Sequence, residues 1–380
     1  MMRWLGVLVL VGTGCGDGDA GSEEKTDSGL GSVDESSSTE PVPPLDITST
    51  LSSIRGRYDL PALGAAVVNG ERTMALGTSG KRRADAPGKV VDSDPWHLGS
   101  DTKAMTATLV AVHVEAGVLS WETEVADVFA DVDDGWAGVT IEDLLQHHGG
   151  ASGNLAVDRP SLWSDLWADS DSRRSRKDAV GVLVGSAPDA SVGTYAYSNA
   201  GYMIAGAMLE ELLDVSWEEQ MREHLFVPLG MTGCGFGAPE GDVPWGHSAS
   251  GVSMEPGPGA DNPPGLGPAG TAYCPLEDWG RFVALHLRRS SEVTPVLSRA
   301  AFDRMHTSRN GYGHGWGVFE DSGNGITLSH SGSNTLWYAT TWLAPERDRA
   351  FLAVSNIASA GVAEAHNEVV LELLDLEPKL

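Results

Sequence analysis

Positive charge is what this chain has least of. Against 53 Asp and Glu stand 25 Lys and Arg, only six of them lysine, and the formal net charge is -28. Nucleic acid and anionic membrane surfaces are held through basic patches, so this balance argues against both as partners. Cysteine is scarce too, with three in 380 residues. There is no Cys-x-x-Cys and no His-Glu-x-x-His run, the spacings that hold metals. The neighbours His147 and His148 would point apart on a helix, and a helix end favours histidine through its dipole, so no metal is expected. A phosphate-cradling glycine loop is also missing, and no cofactor is implied. No internal repeat is evident, and the one long apolar run, Trp4 to Val11, is too short to span a bilayer.

What is present begins with an address. "MMRWLGVLVLVGTGC" places Arg3 before the apolar run and ends in small residues and Cys15, the layout of a secretory signal over residues 1–15. A cysteine directly after small residues resembles a bacterial lipoprotein cleavage site, with Cys15 lipidated; Gly12 stands where a leucine is usual, and an ordinary signal peptide is the alternative. Residues 16–45 are Ser, Gly, Asp and Glu with few large apolar side chains, so they cannot bury enough surface to offset their ordering entropy and read as an acidic linker. The expected setting is an exported, periplasmic or cell-envelope protein that touches a membrane only through its anchor. Cys234 and Cys274 remain, either as a disulfide in an oxidising compartment or as two buried thiols.

The hydrophobic fraction of 41% is ample for a core, and residues 46–380 read as one α/β (α+β) domain. "ITSTLSSIRGRY" reads as a helix, and "LGAAVVNGERTMALGTSG" as a hairpin turning at Asn69-Gly70. "TLWYATTWLAPERDRAFLAVSNI" reads as two strands turning at Pro345 to Asp348, before a closing helix "GVAEAHNEVVLELLDL". Between these ends the character is mostly helical: "KAMTATLVAVHVEAG" has a stop at Gly117, and "TIEDLLQHH" and "AGYMIAGAMLEELLD" show apolar spacing of three and four. Ser216 to Glu219 has capping-box spacing. The expected architecture is an antiparallel sheet built from both chain ends, about 46–99 and 310–380, flanked by helices, with a mostly helical insertion over about 100–309. Gly235 to Ala272 is a Gly/Pro-rich stretch without pattern, read as a functional wall or lid. "SRRSRK", Ser172 to Lys177, reads as a solvated loop face, with guidance of an anionic substrate as the alternative. Among the tryptophans Trp163, Trp167, Trp245, Trp316 and Trp337, core packing is the default, and Trp245 and Trp337 are candidates for a pocket wall.

One lysine stands out. In "HLGSDTKAMTATLV", Lys103 follows Ser100 by three residues, so on a helix the two share a face. A serine hydroxyl is a poor nucleophile until a neighbour takes its proton, and a lysine does so once burial lowers its pKa. A serine N-cap followed by a surface lysine has the same spacing, and Ser22 to Lys25 in the linker repeats it by chance. Two later stretches add weight: "GTYAYSNAGY", with Tyr197 and Asn199, and "LSHSGSNTLWY", with His330, Ser331 and Gly332.

Ser-x-x-Lys, Tyr-x-Asn and His-Ser-Gly, in this order, resemble the signature of serine β-lactamases and penicillin-binding proteins, in the variant of the class C β-lactamases and related DD-peptidases and esterases. "DLLQHHGG", "LFVPLGMTGCGFG", "PAGTAYCPLEDWGRFV" and "YGHGWGV" are similar to the family's joints, and the resemblance runs from about 46 to 378. It implies a β-lactamase/transpeptidase-like fold and a serine hydrolase. Ser100 would form an acyl-enzyme, Lys103 and Tyr197 would share the proton work with the base left open, and Asn199 would bond the lysine and the substrate. The Ser100 and Ser333 backbone N–H groups would form the oxyanion hole, with Gly332 and Trp337 on the substrate side. His330, in place of the family's usual lysine, would offer a hydrogen bond in place of a permanent charge, favouring esters, amides or D-amino-acid peptides over β-lactams. The substrate class is a small molecule or peptide; a scaffold that acylates and never turns over is the competing reading.

Overall fold

The computed structural model describes residues 42–288, 296–321 and 325–376; the signal, Cys15 and the linker up to residue 41 lie outside the described residues. The chain enters the fold at Leu45–Asp46 (β1), one residue ahead of the expected boundary, and turns into the helix Thr48–Arg57 (α1). A hairpin follows, Ala62–Val68 (β2) and Thr73–Gly80 (β3). Its turn is held as the Asn69-Gly70 signal requires: Asn69 Oδ1 accepts from the nitrogens of Glu71 (3.0 Å) and Arg72 (2.8 Å).

Pro95–His97 (β4) then leads into Thr102–Glu115 (α2), followed by Ile141–Leu145 (α3), Ser172–Val184 (α4) and Asn199–Leu213 (α5). Gly235–Phe236 (β5) and Ala272–Pro275 (β6) flank the long Gly/Pro-rich stretch, and Leu276–Leu287 (α6) follows. The far end supplies Gly317–Asp321 (β7), Gly325–Ser333 (β8), Tyr338–Ala344 (β9), Arg349–Ser355 (β10) and the closing helix Val362–Leu374 (α7).

Both chain ends meet in one seven-stranded sheet, ordered β1-β3-β2-β10-β9-β8-β7. It is antiparallel except at its edge, where β1 runs parallel to β3, a departure from the all-antiparallel expectation. The mostly helical insertion also carries the short strands β5 and β6, which join β4 in a small antiparallel sheet. A disulfide joins Cys234, just ahead of β5, to Cys274 of β6.

Side-chain alternation sorts the sheet into two cores. Leu63, Ala65 and Val67 of β2 pack with Phe351 and Ala353 of β10 toward α1 and α7. Ala62, Ala66 and Val68, with Ala350, Leu352 and Val354, face the larger core shared with α2, α5 and α6. Because both faces are covered, these strands read as unbroken apolar runs. Helix α2 is buried on all sides from Thr102 to Ala111, which is why its small and apolar residues show no polar face. Among the described residues no helix is long and apolar enough to cross a membrane.

The basic cluster departs from its reading. Ser172 to Lys177 is the first turn and a half of α4, not a solvated loop, and its cations meet carboxylates. Arg173 pairs with Asp214, Arg174 with Asp169 and Lys177 with Glu211. Arg176, fully buried, is held by Glu210 (2.7 Å) and Glu218 (2.9 Å).

Candidate active site

Ser100 sits in a single 3-10 turn, Gly99–Asp101, between β4 and α2. Gly99 has φ +52°, a left-handed conformation that a side chain resists. A Cβ there would also lie 2.7 Å from the Gly332 carbonyl carbon and 2.8 Å from Ser333 Cα. The end of β8 is thus pressed against the Gly99-Ser100 backbone, and the nitrogens of Ser100 and Ser333 are brought into one neighbourhood.

Lys103 is wholly buried and makes three bonds. Its Nζ donates to Asn199 Oδ1 (2.7 Å) and to the Ala269 carbonyl (2.7 Å), and lies 3.0 Å from Ser100 Oγ. Asn199, first residue of α5, is oriented by its own amide, whose Nδ2 donates to the Gly153 carbonyl at 3.1 Å. The Tyr197 and Tyr202 rings stand 4.9 and 5.6 Å from Nζ. Loss of water pushes the Lys103 pKa well below its usual 10.5, and Asp101 opposes the shift. A neutral amine has two hydrogens and one lone pair. Asn199 Oδ1 and the Ala269 carbonyl only accept, so once the amine is neutral they take its hydrogens and its lone pair faces the Ser100 hydroxyl.

Tyr197 is 37% exposed as a residue, but its hydroxyl end is crowded against Ser100. Burial there raises the phenol above its usual 10.0, and the Ser100 hydroxyl is the one neighbour that draws it back. The phenol is therefore neutral at pH 7 and is a proton donor.

His330 departs from its expected role. Its Nδ1 faces the Ser331 carbonyl at 3.0 Å, which only accepts, so the ring proton is on Nδ1. Nε2 then accepts from the Tyr312 hydroxyl at 3.1 Å. Burial, then Lys103, lower the imidazole pKa to about 3. Both nitrogens are engaged within the protein, so this neutral ring has no free hydrogen bond for a substrate; it fixes Tyr312.

Trp337 is a second correction. It is 1% exposed and meets Trp96 edge-on at 6.2 Å, so it is core beneath β8 and not a pocket wall. The Trp245 ring, half-buried, is covered by the Arg83 guanidinium at 4.6 Å. Gly332 is buried while its neighbours Ser331 and Ser333 are exposed.

The sequence reading passed over His147. It lies just beyond α3 with φ +62°, its Nδ1 accepts from the Ser198 nitrogen (3.0 Å), and its ring packs against Tyr197 (4.4 Å) and Tyr312 (4.6 Å). Burial, then Lys103 and His330, hold its pKa well below 6.5. The "DLLQHHGG" joint carries a signal in the family resemblance; on a regular helix adjacent histidines diverge, which speaks against metal, and the left-handed backbone turns this one toward the tyrosines.

A two-sided sheet with a serine beside a dehydrated lysine at the mouth of its last strands defines a serine hydrolase of the β-lactamase-related type. The chain belongs to the Beta-lactamase family, whose model matches residues 47–375. It is 30% identical over 294 residues to Penicillin-binding protein 4 of Amycolatopsis lactamdurans, covering 71% of this chain and 74% of that one. It is 26% identical over 281 residues to the Unguisins hydrolase ungD' of Aspergillus campestris, covering 70% of this chain and 50% of the relative. In fold it is similar to a D-stereospecific amidohydrolase from Streptomyces sp., with a TM-score of 0.65, 19% identity, and coverage of 84% and 96% of the two chains.

Proposed function

We propose that the protein is an exported serine hydrolase that cleaves an ester or amide through an acyl-enzyme on Ser100, with esterase or D-amino-acid-specific peptidase activity ahead of β-lactam hydrolysis. The observation that carries this reading is the bonding of Lys103: two obligate acceptors and, at 3.0 Å, the Ser100 hydroxyl. In acylation the lysine lone pair takes the Ser100 proton as Oγ bonds to the substrate carbonyl carbon. The carbonyl oxygen, now negative, accepts from the Ser100 and Ser333 nitrogens. Collapse of the adduct expels the leaving group, which takes a proton from the Tyr197 phenol, and Lys103 returns its proton to Tyr197. Water then attacks the acyl carbon, with the same pair removing its proton and restoring the Ser100 hydroxyl.

Substrate class follows from charge. A neutral His330 stands where the family's usual lysine would pair with a carboxylate, the Lys103 nitrogen is engaged, and the chain as a whole carries -28. Anionic substrates gain no charge pairing here, so neutral esters and amides are preferred. The names of the Streptomyces amidohydrolase and the Aspergillus hydrolase support the amide and peptide side of this choice. The Cys234–Cys274 disulfide supports an oxidising compartment, which agrees with a signal over residues 1–15 and an anchor at Cys15.

Purified protein is incubated with p-nitrophenyl acetate and with nitrocefin, and the modified residue is mapped by mass spectrometry. Steady turnover of the ester, label on Ser100, and none in Ser100→Ala are expected. A single stoichiometric burst without turnover would favour the penicillin-binding receptor reading, and label elsewhere would remove Ser100 from the chemistry.

A further inference from the structure

The long stretch between β5 and β6 holds a side-chain cluster that none of the three motifs contains. Asp261 Oδ1 lies 2.6 Å from His97 Nε2, a short and bent contact between groups 7% and 0% exposed. His97 is three residues before Ser100, and its Nδ1 accepts from the Gly99 nitrogen at 3.1 Å. That bond places the ring proton on Nε2, facing the carboxylate. The same Asp261 oxygen accepts from Asn334 Nδ2 at 3.2 Å. Asn334 follows Ser333 directly, and its Oδ1 receives the nitrogens of Leu336 and Trp337, both at 3.2 Å. Thr335, between them, has φ +75°, a strained conformation for a β-branched residue that such bonds must hold.

One carboxylate therefore reaches, through a single side chain each way, the segments that bear the Ser100 and Ser333 nitrogens. Its neighbour does the same for the lysine. Asn262 Nδ2 donates to the Gly270 carbonyl at 2.7 Å, next to Ala269, whose own carbonyl takes a Lys103 hydrogen. The Asn262 backbone nitrogen in turn donates to Asp261 Oδ1 at 2.6 Å, so the same carboxylate also holds the backbone from which the Asn262 side chain projects.

We infer that Asp261 and Asn262 are a positioning pair that sets the two oxyanion donors and the orientation of the lysine from within the long loop. The inference rests on the acyl-enzyme reading above. Neither residue touches the reacting atoms; each acts through backbone whose misplacement by about 1 Å costs on the order of 10²-fold in rate.

The test is the acylation rate constant per active site, measured by stopped flow with p-nitrophenyl acetate, for wild type, Asp261→Ala, Asp261→Asn and Asn262→Ala. Asp261→Ala is expected to fall by about 10²-fold with the acetate KM within about threefold of wild type. Asp261→Asn, which keeps the Oδ1 acceptor, is expected to recover at least about tenfold of that loss, and Asn262→Ala to fall at least about tenfold. A purely stabilising role would lower Tm and the fraction of active sites but not the rate constant of each site. A loss under tenfold in Asp261→Ala, or an Asp261→Asn variant as slow as Asp261→Ala, overturns the inference. If Asp261→Ala does not fold, His97→Phe, which keeps ring volume without nitrogens, is read by the same criterion. Wild type that is not acylated at Ser100 removes the functional reading and this inference with it; wild type acylated at Ser100 beside an equally fast Asp261→Ala removes the inference alone.

Discussion

A Cβ added at Gly332 would lie 2.6 Å from the Ser100 nitrogen and 2.9 Å from the Asp101 nitrogen. Both are backbone atoms in a tight turn, so the strand would have to retreat from the serine. Gly332→Ala is therefore expected to separate the two proposed oxyanion donors and slow acylation by about 10²–10³-fold. Burst kinetics with an activated ester, beside a far-ultraviolet circular dichroism spectrum that stays native, check this. Wild-type rates in the alanine variant would mean that the β8 end does not serve the reacting carbonyl.

Lys103→Arg keeps a cation of similar length but cannot lose its proton under any ordinary condition. If the neutral amine takes the serine proton, this variant falls by about 10²–10⁴-fold. Wild-type acylation should rise with pH along a limb centred well below 10.5, because dehydration holds the lysine low. The pH profile of the acylation rate reads this limb directly, and a limb near 10.5 would contradict a dehydrated base.

Acid should destabilise the fold before most carboxylates titrate. Burial, as the leading cause, lowers the pKa of His286, His330 and His366 to about 3 and of His113 to about 4, from 6.5. Between those values and 6.5 the unfolded chain binds protons that the native one refuses, so stability falls as pH falls through 6.5. Each group contributes on the order of 2 kcal/mol of loss near pH 5. Asp101 works the other way: burial raises its carboxyl well above 3.8, so the native chain binds this proton more tightly than the unfolded one. His147 and His247 are lowered as well, so the histidines outnumber the one raised carboxyl, and thermal unfolding is expected to show a Tm that drops steadily from pH 7 to pH 5. A flat Tm over this range would mean that these histidines titrate freely in the native protein.

Arg176→Met should cost about 3–5 kcal/mol, because it leaves the Glu210 and Glu218 carboxylates without their shared cation. Arg176 also donates to the Gly265 carbonyl at 3.1 Å, in the segment that leads to Ala269. Chemical denaturation reads the loss; a change under about 1 kcal/mol would show that the pair is dispensable.

The main elements of the sheet and of the helical insertion were legible because their signals are local. Apolar runs marked β2, β3, β9 and β10, the Asn69-Gly70 pair marked the first turn, three-and-four spacing marked α3 and α5, and Gly117 marked the end of α2. The parallel edge strand β1 was not, because two residues carry no period and their pairing is decided by the β3 edge. Ser100 and Lys103 were legible for the same reason as the helices: they are three apart on one face.

By itself the sequence determined the order of strands and helices and the three short motifs, since each depends on residues within a few positions of one another. Tertiary structure alone decided which groups are without water and which atoms meet. It buried Trp337 and Arg176, turned His147 inward on a left-handed residue, occupied both nitrogens of His330, and brought Asp261 from a patternless loop to His97 and Asn334. Most of those outcomes rest on contacts between residues distant in the chain, such as Arg176 with Glu210 and His97 with Asp261, or on dehydration by the assembled core, and neither leaves a trace in local spacing.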